Sequence, residues 1–259
     1  MKNIFKITYL TILLLAATHQ VKGAEKIELL KIDWSFKGLF GKFDRGSLQR
    51  GYQVYTEVCA SCHSMKYLSY RNLSEKGGPE FSVEQVKAIA ASFEVTDGPN
   101  DDGEMFERPA KLSDKFVMPY ANVKEAQAAN GGAYPPDMSV LAKARTGGVD
   151  YIYSVLLGYE DPPSGVTLDD GVYYNKYMYG NNIKMSQPLY DGSVEYNDGT
   201  EATKEQMAKD VATFLMWTAE PHLEARHKMG FKAILYLTIL TILVYFSMKK
   251  IWSRIESEV

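Results

Sequence analysis

Hydrophobic positions recur at helical spacing in a few short stretches, and polar, turn-rich segments separate them. Leu48, Tyr52, Tyr55 and Val58 fall three or four residues apart and form one stripe on a helix that runs into Cys59. Ser82 and Gln85 make a capping box, which predicts a helix with Val83, Val86, Ala90 and Phe93 on one face. Asp150 is placed to cap a short apolar helix, YIYSVLLGY, with Gly158 as its stop. Thr203 and Gln206 make a second capping box and open the clearest helix of the chain. It sets Met207, Val211, Phe214, Leu215 and Thr218 on one face and closes at Pro221. Strand signals are few; VTLDDGVYYNKYMY, residues 166–179, suits a hairpin.

The intervening stretches EKGGPE, DGPNDDGE, NGGAYPPD, EDPPSG and YDGSVEYNDGT hold most of the glycine and proline. The pattern predicts a mainly α chain of short helices and long loops. Loops of this length in a compact chain serve a function or wrap around a group that supplies core the helices lack.

The two ends differ from the middle. Lys2 and Lys6 precede a short apolar run, ITYLTILLLAA, and Val21 and Gly23 suit a cleavage after Gly23, so residues 1–23 read as a signal peptide. Gly230 to Met248 is an apolar run of 19 residues with Lys232 as its one charge. At the helical rise it spans roughly 28 Å, close to the hydrocarbon thickness of a bilayer. Lys249, Lys250, Trp252 and Arg254 follow it, which suits a membrane anchor better than a core helix. The expected organisation is an exported domain over 24–228, a transmembrane helix over 229–249 and a cytoplasmic tail over 250–259.

Composition narrows the function classes. The chain has 259 residues, 46% of them hydrophobic, and a net charge of −3, which argues against a nucleic-acid binder. Its mean hydropathy of −0.24 argues against a polytopic membrane protein. Nine of the 29 basic residues and two of the 32 acidic ones lie in 1–23 and 226–259, which leaves a net charge of −10 over 24–225. That excess aids solubility and steers basic partners. Two cysteines exclude a multi-disulfide scaffold.

Those cysteines stand in Cys59-Ala60-Ser61-Cys62-His63, the C-x-x-C-H attachment signature of a c-type haem. Two cysteines three apart on a helical turn reach both vinyl groups of one porphyrin. The next residue, His63, then falls beneath the iron as axial ligand. A redox C-x-x-C belongs in a thioredoxin-like frame that this pattern lacks, and a zinc site needs two more ligands where no other cysteine exists. The motif occurs once, so the expected cofactor is one haem c held by two thioethers.

A second axial ligand is less legible. Met207 and Met216 lie on the amphipathic helix, Met229 and Met248 in or beside the apolar run, and Met65 too near His63. Met118, Met178 and Met185 are loop methionines open to the role, with His222 and His227 as alternatives beside the anchor. The stretch around Met185, NNIKMSQPL, is polar, so its methionine is not simply core. Arg145, in AKARTGG, offers a guanidinium fork that matches a haem propionate, or else a solvated cation.

Together these features resemble the cytochrome c1 family, the haem subunits of cytochrome bc1 complexes, in a bacterial form. The resemblance covers essentially the whole mature chain. After CASCH it rests on NGGAYPPD, AKARTGGVDYIYSVLLGYEDPP, IKMSQPL, DVATFLMWTAEP and the terminal anchor, in that order. It implies a class I cytochrome c fold with insertions and long loops, with His63 and Met185 as iron ligands. It makes Arg145, Tyr151 and Asn130 candidates around the haem. The implied partners are cytochrome b, a Rieske iron–sulfur protein, a soluble or anchored cytochrome c and membrane lipid. The implied role is electron transfer without a substrate site, with the haem domain in the periplasm. Competing readings are a stand-alone anchored electron carrier, a haem peroxidase with an open iron position and a haem sensor. The short tail leaves no room for a sensor's output domain.

Overall fold

The computed structural model describes residues 27–256, with side chains as far as Arg254, so the signal-peptide expectation lies outside the described residues. Seven helices and two short hairpins follow one another among them. Helix α1 (Arg45–Val54) is capped by Asp44, whose carboxylate accepts from the Ser47 amide. It widens into a π-helical turn, Tyr55–Cys59, that delivers the first cysteine. A 3-10 turn at Tyr70–Ser74 leads to α2 (Val83–Ala91), which opens with the capping box expected at Ser82 and Gln85. Strands β1 (Glu94–Asp97) and β2 (Phe106–Pro109) pair antiparallel, with Glu94 opposite Pro109. Then come α3 (Val123–Ala129), α4 (Leu141–Ala144) and α5 (Gly148–Leu157). Strands β3 (Tyr173–Tyr174) and β4 (Asn182–Ile183) form a minimal antiparallel pair. Helices α6 (Lys204–Ala219) and α7 (Leu223–Glu256) end the chain.

The core forms where α1 crosses α6. A Cβ added at Gly51 would lie 2.2 Å from the Asp210 carbonyl oxygen and 2.7 Å from Phe214 Cβ, so only glycine allows this approach. Tyr52 and Tyr55 meet Phe214 with ring centroids 5.8 and 6.0 Å apart, and Phe116 stacks on Tyr70 at 4.9 Å. Met207, Val211, Phe214 and Leu215 are all buried, as the stripe on this helix predicts.

Two local expectations are corrected. Asp150 does not cap α5. The helix starts behind Gly147, at φ 91°, and a Cβ there would strike Leu29 Cδ1 at 2.4 Å. The Asp150 carboxylate instead accepts from Trp34 Nε1 at 2.5 Å and Lys37 Nζ at 3.0 Å. The hairpin expected within 166–179 is also displaced. Tyr173–Tyr174 pair with Asn182–Ile183, beyond that stretch, because Asn175 turns inward and donates to the Val155 carbonyl. The hairpin β1–β2 was not legible, since its strands are only four residues long and none of their residues is fully buried.

Helix α7 is 34 residues long, about 50 Å at the helical rise. It contains a span of mean hydropathy 1.9 that is not buried within the chain. Its first turn is tied to the globular part. Glu224 accepts from the Phe43 amide and from Arg45 Nη2, both at 3.0 Å. Burial pushes the Glu224 carboxyl up, but these bonds and the nearby positive charges outweigh it, so it titrates below the ordinary glutamate range. A depressed acid adds stability above its unfolded pKa, and that stability is lost as pH falls through the folded value. Glu224→Gln is therefore expected to lower the denaturant midpoint at pH 7. The gap from the unsubstituted protein should close below the ordinary glutamate value of 4.5, which denaturant titrations across pH will show.

Candidate haem site

The C-x-x-C-H motif occupies the turn at the end of the π-helical segment. The Cys62 and His63 amides donate to the Cys59 carbonyl at 3.1 and 2.9 Å, which closes the turn and sets both cysteines and the histidine in succession. Cys59 is buried and Cys62 half-buried, and the two are not joined in a disulfide. Burial, helped by the neighbouring Cys62, pushes the Cys59 thiol up to about 12. A redox dithiol needs a low-pKa thiolate, so this environment opposes that reading. Among the described residues no group of three or more His, Cys, Asp or Glu gathers to hold a metal ion, which opposes the half-zinc reading.

His63 is held by a residue outside the motif. Its Nδ1 lies 2.9 Å from the Pro136 carbonyl oxygen. A carbonyl only accepts, so Nδ1 carries the proton and Nε2 keeps its lone pair for a metal. Burial pushes the imidazole down, against the opposing pull of that carbonyl and of Asp137, and the neutral ring is the form a ligand needs. Asp137 locks the two segments together. It accepts from Ser64 Oγ at 2.8 Å, the Lys66 amide at 3.0 Å and the Ser139 amide at 3.0 Å. Burial raises its carboxyl, but these donors win and hold it below the usual carboxylate range.

In NGGAYPPD only Asn130 carries a role legible from the sequence; Pro136 and Asp137 do not. The tail of this segment orients the His63 imidazole and braces the turn after it, and the signal was two prolines and an acid in a glycine-containing loop.

The other candidates gather on neighbouring loops. Met185 is half-buried, and its carbonyl accepts from the Tyr159 hydroxyl at 3.0 Å. Lys184 Nζ donates to the Gly131 carbonyl at 2.8 Å, so the Met185 loop lies beside the loop that carries Pro136. Tyr151 sends its hydroxyl to Met178 Sδ at 3.1 Å, and Arg145 acts electrostatically on Tyr151 from nearby. Arg145 is exposed and its Nη1 donates to the Ala144 carbonyl. Asn130 ends α3, with its Nδ2 on Tyr120 Oη at 3.0 Å and the Ala126 carbonyl at 2.7 Å. Among the alternatives, Met118 is largely exposed and Met65 is wholly within the core. His222 is exposed, and His227 lies on α7.

Two thiols on one turn, a neutral imidazole with Nε2 available and a methionine loop braced beside its support fit a haem c. They define a c-type cytochrome, a mainly helical electron carrier. The model of the cytochrome C1 family matches residues 34–255. The chain is 46% identical to the cytochrome c1 of Rhodospirillum rubrum, with 89% of each chain covered. It is 48% identical to the mitochondrial cytochrome c1-2 haem protein of Solanum tuberosum, over 89% of this chain and 88% of that one. A protein of Bradyrhizobium diazoefficiens named cytochrome b/c1 is 52% identical over 85% of this chain, which spans only 35% of that longer protein. The chain belongs to the cytochrome c1 family, the haem c subunits of cytochrome bc1 complexes. It is an electron-transfer cytochrome with a single apolar helix long enough to cross a membrane among its described residues.

Proposed function

We propose that this chain accepts one electron from a Rieske iron–sulfur protein and passes it to a cytochrome c, as the cytochrome c1 of a quinol–cytochrome c reductase. The observation that carries the reading is the His63 imidazole, oriented by Pro136 at the end of the C-x-x-C-H turn. In this reading Cys59 and Cys62 would hold the haem covalently, as thioethers to its two vinyl groups. Met185 would supply a sulfur ligand to the iron alongside the His63 nitrogen, and Arg145, Tyr151 and Asn130 would contact the edge of the group. The bound haem supplies the reversible one-electron change. With both ligands from the protein no open position would remain for a substrate, and α7 would hold the group at a fixed height above the membrane.

Cytochrome b is the expected neighbour of α7. The relative named cytochrome b/c1 supports it, as does a Candida albicans relative named a cytochrome b-c1 complex catalytic subunit, 47% identical over 87% of this chain. Residues 24–228 form the periplasmic domain of a bacterial inner-membrane protein, 229–249 the span and 250–259 the cytoplasmic tail. The net charge of −10 over 24–225 steers a basic cytochrome c, with Asp97 to Glu107 and Asp169 and Asp170 as candidate contacts.

The test is a preparation of the tagged chain from its own membranes in mild detergent. The reduced-minus-oxidised spectrum is expected to show b-type bands beside one c-type band. Quinol-driven reduction of cytochrome c should slow as salt rises. A c-type band alone, in a preparation that retains other membrane complexes, assigns the chain to a stand-alone anchored carrier instead.

A further inference from the structure

The segment Lys37–Lys42 is a closed turn with an apolar tip. Lys42 donates its amide to the Ser35 carbonyl at 3.0 Å, and a Cβ at Gly41 would lie 2.3 Å from the Phe36 carbonyl oxygen. Its base is rigid: Phe36 and Phe43 are buried, with ring centroids 5.1 Å apart, and Trp34 stacks on Phe36 at 5.5 Å. Its tip is the reverse. Leu39 is 63% exposed and Phe40 74% exposed, between the exposed lysines Lys37 and Lys42.

The direction of this turn is fixed by α7. The Phe43 amide bonds Glu224 in the first turn of that helix, whereas the Phe40 ring lies 6.4 Å from the ring of Phe231. Seven residues separate Glu224 from Phe231, about 10 Å along the helix axis. The turn therefore descends beside α7 from the globular part toward the apolar span. It carries two large apolar side chains to the level where Arg226, Lys228 and Lys232 surround the start of that span.

We infer that Leu39 and Phe40 insert into the interfacial region of the bilayer as a second membrane contact, with Lys42 directed to lipid phosphates while Lys37 stays paired with Asp150. The inference rests on α7 as the membrane span. An apolar tip between lysines matches the headgroup and acyl boundary, where apolar side chains leave water and cations meet anionic lipid. A helix alone leaves the domain free to tilt. A rigid turn seated in the same surface removes that freedom and fixes the haem domain relative to the membrane plane.

The experiment uses the intact complex carrying Phe40→Cys, labelled with a nitroxide and reconstituted in vesicles of phosphatidylcholine and phosphatidylglycerol. Ile234→Cys in the span and Asp101→Cys at the tip of the acidic hairpin serve as references. Collision with oxygen, which concentrates in lipid, is compared with collision with a water-soluble nickel chelate. The expected ratio at position 40 is shifted toward oxygen, well above that at 101 and approaching that at 234. A chelate-favoured ratio like that at 101 places the tip in water and overturns the inference. Protection from both reagents places it against another subunit and overturns it equally. If 234 is chelate-accessible, the span reading itself fails and takes the inference with it. Leu39→Cys repeats the measurement if the Phe40 variant does not assemble.

Discussion

Met185→Leu is expected to lower the midpoint potential of the haem and to open its iron to carbon monoxide. A thioether favours the reduced iron, and leucine offers no donor atom in its place. For a one-electron couple each 59 mV shifts the equilibrium tenfold, so a fall of about 120 mV would cut the electron's partition onto this haem about 100-fold. Quinol-driven reduction of cytochrome c should then fall steeply, with the c-type band still present because both cysteines remain. Redox titration and a carbon monoxide difference spectrum of the purified complex make the check. An unchanged potential with no carbon monoxide binding would remove Met185 from the iron. Met178→Leu would be the next variant to measure, because that sulfur already meets the Tyr151 hydroxyl.

Asp210→Ala is expected to destabilise the protein by about 3–5 kcal/mol, the usual cost of breaking a buried ion pair from one side. The Asp210 side chain is fully buried, and Arg50 approaches it at 2.8 Å through Nε with only 18% exposure. Ser47 Oγ at 2.5 Å and Gln206 Nε2 at 3.0 Å complete its partners. Alanine would strand all three donors in the seam between α1 and α6, beside the close approach at Gly51. Domains of this kind hold only about 5–15 kcal/mol in total. The loss should appear as a large drop in the denaturant midpoint and as low accumulation of the complex. Asp210→Asn keeps an acceptor for Ser47 and should cost clearly less. A change below about 1 kcal/mol for the alanine variant would mean that Arg50 finds full compensation at Asp198, its other partner at 2.8 Å.

Much of the site was legible because its chemistry is local. C-x-x-C-H needs its cysteines and histidine on one turn, so spacing along the chain is nearly the whole requirement. The helices of α1, α2 and α6 were legible for the same reason, through stripes and capping boxes that depend on residues three or four apart. The apolar run in α7 needed only its length and its lack of charge.

What tertiary structure decided lies between distant segments. Pro136 reaches His63 across 73 residues, and a backbone carbonyl leaves no side-chain signature of its task. Asp150, read locally as a cap, was drawn to Trp34 across 116 residues, because the left-handed Gly147 had already set the helix start. The Met185 loop is braced by Tyr159 and by Lys184 on Gly131, none of which any short-range pattern pairs. By itself the sequence determined the C-x-x-C-H turn, the main helices and the long apolar C-terminal helix. Only the folded chain decided which ring nitrogen of His63 carries the proton and how closely α1 meets α6, because hydrogen bonds and close packing act through space.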